Sequence, residues 1–230
     1  MKSFILSSLA AGALLAVSVA HANTVVVGTA DSGSGNEFPF GNTFGNSSAL
    51  YEQIYNAADF SGPLTIDSLN FYNTQFHFGT EALNTADYSI FLATTNTAIG
   101  ALTGNAATDD GGSDTLFGNY SLGGTFTTGS ALTLAGANYN YDPANGNLLV
   151  IMEVTNSQNN GNLYLDALNG DGGTITSRWY TNAVPQGDSF GLVTGFGTAS
   201  SAAPDIASTC SMLGLGLAAL GLSVRRRRTA

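Results

Sequence analysis

The chain has 230 residues, 43% of them hydrophobic and only 10% charged, with a formal net charge of −10. Fifteen of the sixteen acids but only one of the six bases, Arg178, fall between residues 23 and 202, so that segment carries a formal charge of −14. A field of that sign repels phosphate backbones and excludes nucleic-acid binding. The single cysteine, Cys210, lies outside the segment, which excludes disulfides and thiolate chemistry within it.

Taken in chain order, residues 1–22 have the layout of a signal peptide. Lys2 supplies the positive n-region, an uncharged Leu/Ala/Val run follows, and Ala20 and Ala22 present small residues to a signal peptidase, with cleavage expected after Ala22. Residues 23–202 are long enough to bury one sizeable core. Strands are expected at 24–27, 64–72, 88–94, 132–134, 148–155, 163–165, 175–181 and 190–194, from β-branched and aromatic content in short runs. The run Leu148-Leu-Val-Ile-Met-Glu-Val-Thr155 is the most apolar and reads as a strand buried on both faces. Gly/Asn/Asp clusters at 31–36, 109–114, 159–162 and 169–173 read as turns. One helix is expected, at 48–58, where Leu50, Ile54 and Tyr55 fall near one face. Short strands parted by such turns predict an all-β fold, a jelly-roll-like β-sandwich.

Residues 203–230 form a distinct tail. The stretch 206–224 is uncharged, and nineteen helical residues rise about 28 Å, close to the thickness of a bilayer's hydrocarbon core. Arg225, Arg226, Arg227 and Arg228 follow at once and are expected to stay cytoplasmic. Signal and tail agree on one topology, with the domain outside the cytoplasm and the Arg cluster inside.

The tail's sequence, Ala203-Pro204-Asp205 before a Leu/Gly/Ala span and an Arg cluster, resembles the PEP-CTERM sorting signals. It is closest to the variant written V-P-D-S-G-S-T, with Ala203, Ile206 and Ala207 standing where that variant has Val, Ser and Gly. The resemblance implies an exosortase-like membrane protease as partner, cutting near Pro204, and delivery to the cell surface or extracellular matrix, with an association with exopolysaccharide. Three phrases in the domain, at 48–56, 60–66 and 141–149, also look like a domain common among PEP-CTERM proteins, a family without chemistry assigned to particular residues.

Candidate chemistry is sparse, and no catalytic residue is assigned. Gly187-Asp188-Ser189-Phe190-Gly191 matches G-x-S-x-G, but no helical pattern follows Ser189 and the only histidine of the segment, His77, precedes it. Glu37, Glu52, Glu81 and Glu153 are the glutamates available to a glycosidase pair. No cofactor is required by the sequence. Calcium is the candidate ion, because Asp109, Asp110 and Asp114, and again Asp166, Asn169 and Asp171, gather oxygens beside glycines. Trp179, Tyr180, Tyr139 and Tyr141 are candidates for a sugar-stacking face, with Trp179 and Tyr180 as its sites. The sequence therefore favours a non-enzymatic exported surface or matrix protein, with a carbohydrate-binding module, calcium-assisted, as the alternative and an extracellular hydrolase as the second.

Overall fold

A computed structural model describes residues 24–29, 35–74, 80–168, 175–181 and 188–198. The signal residues, His77, Asn169, Asp171, Gly187 and the whole 203–230 tail with its Pro-Asp motif and Arg cluster lie outside the described residues.

Within them the chain is built almost entirely of antiparallel strands: β1 (Thr24–Val27), β2 (Gly35–Asn36), β3 (Ala49–Tyr55), β4 (Leu64–Tyr72), β5 (Glu81–Thr95), β6 (Thr115–Phe126), β7 (Ala131–Tyr141), β8 (Asn147–Thr155), β9 (Leu165–Asp166), β10 (Thr176–Tyr180) and β11 (Thr194–Thr198). One helical turn, α1 (Ala106–Asp109), lies between β5 and β6. The strands make a four-stranded sheet in the order β1-β11-β4-β7, a five-stranded sheet in the order β10-β3-β8-β5-β6, and the short pair β2-β9. The fold is all-β and sandwich-like.

Alternation places the core. In β8, Leu148, Val150, Met152 and Val154 join the main cluster with Val27, Ile66, Leu69, Phe71 and Phe196 from the four-stranded sheet. The intervening Leu149 and Ile151 belong to a second, smaller cluster on the opposite face, with Ile54, Ala93 and Leu102. That outer face is covered by the segment between β5 and β6, which contributes Leu102, Ile99 and Ala106. The strand is therefore buried on both sides, as its composition predicts, until Glu153, which is exposed. In β4 the pairing shifts register at Asp67 on both neighbouring strands. The slip lets Ile66, Leu69 and Phe71 all face inward although their spacing breaks strict alternation.

The helix expected at 48–58 is corrected to strand β3, followed by a single 3-10 turn at Ala57–Asp59. Its residues fit both periods, and burial decides. As a strand between β8 and β10 the segment buries Tyr51, Gln53 and Tyr55 on one face and Glu52 and Ile54 on the other. The region expected at 163–165 contributes only the short β9, and the strand expected at 190–194 begins at Thr194, after an isolated bridge between Ala167 and Leu192. β6 carries no prediction. It is an edge strand, exposed over most of its length and interrupted by Gly118, Gly123 and Gly124, so its apolar pattern is weak.

Candidate functional site

β10 lies at the edge of the five-stranded sheet and pairs with β3 in a register that sets Arg178 opposite Gln53, Trp179 opposite Glu52 and Tyr180 opposite Tyr51. Since successive strand residues point to opposite faces, this pair of strands divides its polar residues between two environments.

On the inner face Arg178 forms a two-toothed pair with Asp188, Nε donating to Oδ1 at 2.6 Å and Nη2 to Oδ2 at 3.1 Å. Backbone bonds in both directions between the same two residues fix the pairing. The Gln53 amide donates to the carbonyl of Leu192 and accepts from its N–H, each at 2.8 Å, and so ties this sheet to the segment that leads into β11. Tyr51 donates its hydroxyl to Gln53. Burial pushes the phenols of Tyr51 and Tyr55 well above the ordinary value.

On the outer face Glu52 is wholly buried, and neither carboxyl oxygen receives an N–H or alcohol O–H donor. It abuts Asp109, with Asp110 next in line. Burial, then the charge of Asp109 and a carboxyl–carboxyl hydrogen bond with it, and more weakly the charge of Asp110, push the Glu52 carboxyl up to about 8. Asp109 and Asp110 are themselves only 1% and 4% exposed.

The covering segment is held over this spot by many bonds. The Asp109 carboxylate accepts from the N–H groups of Thr103 and Gly104 at 2.8 and 3.1 Å and from the Thr103 hydroxyl. Its carbonyl accepts from Thr95 and Thr97 at 2.6 and 3.0 Å. Gly100 donates to the hydroxyl of Ser177 at 2.7 Å. Gly104 lies flat against the Trp179 indole with a φ of +76°, and a Cβ there would stand 2.2 Å from the ring.

The residues singled out by sequence are thus separated in space. Trp179 packs under the covering segment, whereas Tyr180 packs with the main core, so the two rings do not form one platform. Tyr180 instead meets Phe38 at 5.1 Å and Phe44 at 6.2 Å, with the Arg178 guanidinium 4.7 Å from its centroid. Phe44 is 53% exposed, stacks on Phe38, and sits on a turn at a φ of +51°. Sequence reading passes over it because an aromatic inside Asn-Thr-Phe-Gly looks like turn filler.

Asp109 and Asp110 are brought together and Asp114 remains exposed. Asp166 is buried far along the chain, where its carboxylate accepts from the N–H and hydroxyl of Thr74. Its expected neighbours Asn169 and Asp171 lie outside the described residues. Of the four glutamates, Glu81 is buried and accepts from Asn73 and Thr128, while Glu153 lies exposed on the rim of a shallow hollow with Leu50 and Thr181. Glu52, which abuts the Asp109 carboxyl, is sealed from substrate. Asp188 accepts from Phe190 N–H at 2.9 Å, which makes the described part of the G-x-S-x-G phrase a turn pinned to Arg178, with a strand and not a helix after it.

Among the described residues no group of three or more His, Cys, Asp or Glu side chains is placed to hold a metal ion, and no helix is long and apolar enough to cross a membrane. Comparison of the chain with protein-family models, with curated proteins and with solved structures returned no match.

Proposed function

We propose that the protein is an exported cell-surface or extracellular-matrix component whose acidic domain, 23–202, binds or builds structure and performs no catalysis. In this reading the 1–22 signal directs export, the 206–224 span and its Arg cluster hold the protein in the membrane, and an exosortase-like protease releases it near Pro204 for association with exopolysaccharide. The observation that carries it is the segregation of charge: five of six bases lie in the two terminal segments and fifteen of sixteen acids between them. The test is the intact mass of the protein recovered from its native host. Loss of both ends, near Ala22 and near Pro204, is expected; a mature chain that keeps Arg225, Arg226, Arg227 and Arg228 overturns the processing step.

The domain is read as a jelly roll. Strand order supports this: with β2, β9 and the added edge strand β10 set aside, the remaining eight strands counted along the chain run 1-8-3-6 in one sheet and 2-7-4-5 in the other.

A second reading, a carbohydrate-binding module, is favoured by one feature. Phe44 presents an exposed ring that packs against Tyr180, an apolar face of the kind on which a pyranose stacks. Retention of the protein on its host's exopolysaccharide, reduced at least tenfold by Phe44→Ala, supports this reading; equal retention of the variant removes it.

A further inference from the structure

Burying a carboxylate is costly unless its charge is matched by a base, a hydrogen-bond donor, a proton or a metal ion. At Glu52 the first two are missing. Its oxygens have no N–H or alcohol O–H donor, the group set against them is the Asp109 carboxyl, and the next charged neighbour is a further acid, Asp110. Arg178, the one base between residues 23 and 202, lies in the neighbouring strand but points to the other face, where Asp188 engages it. Asp109 rests on the donors of Thr103 and Gly104, but Glu52 beside it is a buried acid for which the domain has no base to spare.

We propose that Glu52 and Asp109 form the core of a binding site for a divalent cation of the calcium class, with Asp110 adding negative potential. The donors at hand are carboxylate oxygens, with hydroxyl and carbonyl oxygens along the covering segment, and no imidazole or thiolate among the described residues there. That set favours a hard ion over zinc or copper. Donors drawn from an irregular loop suit calcium, which tolerates irregular geometry, better than magnesium, which demands a regular octahedron. Two protein carboxylates leave several positions to neutral oxygens and water. The cluster differs from a solvated acidic turn because Glu52 comes from a sheet strand 57 residues before Asp109 (109 − 52), so an ion here would clamp the covering segment onto β3. The Asp109–Asp110 pair is the part legible in the sequence; Glu52 is not.

The chain's only tryptophan provides the probe, since Trp179 is the β10 partner of Glu52 and packs against the covering segment. The full chain in detergent micelles is titrated with terbium(III), a luminescent calcium substitute, with excitation through Trp179, and then back-titrated with calcium. Saturable sensitised emission that calcium displaces is expected, weakened at least tenfold in Glu52→Gln and retained in the control Asp114→Asn. Glu52→Gln keeps the shape of the side chain and supplies Asp109 with a donor, so it preserves the fold. Wild-type protein without saturable emission overturns the proposal and leaves a proton as the neutralising group. Emission equal in wild type and Glu52→Gln also overturns it, by assigning the ion to the acidic surface at large.

Discussion

The two faces of the β3–β10 strand pair solve the same problem in opposite ways. On the inner face a carboxylate, Asp188, meets the domain's single base, and the network around it reaches Gln53 and the backbone of Leu192. On the outer face Glu52 meets only other acids. Both faces derive from residues one position apart in register, so the contrast arises from strand alternation and from the scarcity of bases, not from any difference in local composition. With one arginine available, most buried acids here rest on neutral donors, as Asp109 does on Thr103 and Gly104 and Asp166 on Thr74, and Glu52 is the one that receives neither arginine nor such a donor among the described residues.

Among substitutions read at a single neutral pH, the largest loss is expected from Arg178→Ala. It removes both teeth of the pair with Asp188 and the cover over Tyr180, and should cost about 3 kcal/mol in a denaturant titration, near the lower end for breaking a buried pair because Asp188 keeps access to water. Gly104→Ala attacks the other face. A side chain at that positive φ collides with Trp179, so about 2 kcal/mol should be lost together with a red shift of tryptophan emission as the covering segment lifts.

Glu52→Gln sharpens the comparison instead. The folded carboxyl sits at about 8 against an ordinary 4.5, so the folded state binds the proton more tightly. Stability is then full below pH 4.5 and falls as pH rises toward 8, where the proton is lost. With chelator present, the wild type should lose on the order of 2 to 4 kcal/mol between pH 5 and pH 8. The Gln variant should stay nearly flat across that window, and a parallel decline in both proteins would remove Glu52 as its source. The smallest effect is expected at the aromatic edge. Phe44→Ala should change stability by less than about 1 kcal/mol, because the ring is half exposed, and should act on ligand retention alone.

Legibility followed the strength of the local signal. β4 and β8 were readable because a strand in the middle of a sheet carries apolar residues dense enough to exclude other states. β3 was misread because Leu50, Ile54 and Tyr55 also suit a helical face, and only pairing with β8 and β10 selects the extended form. β6 left no clear trace because an edge strand with one wet face needs few apolar residues. In the candidate site, Asp109 and Asp110 were visible as residue types. Glu52 looked like one glutamate among four, and the pairing of Trp179 with Tyr180 as one surface was undone by the two-residue period of the strand.

The sequence by itself determined where the charges are: an acidic segment with one base, between two terminal segments that hold the rest. Charge is a property of composition and needs no fold to be counted. Tertiary structure alone decided which acids leave water, because burial is created by segments far apart in the chain. The covering segment between β5 and β6 closes over β3 and turns Glu52, Asp109 and Asp110 from three soluble acids into one buried cluster.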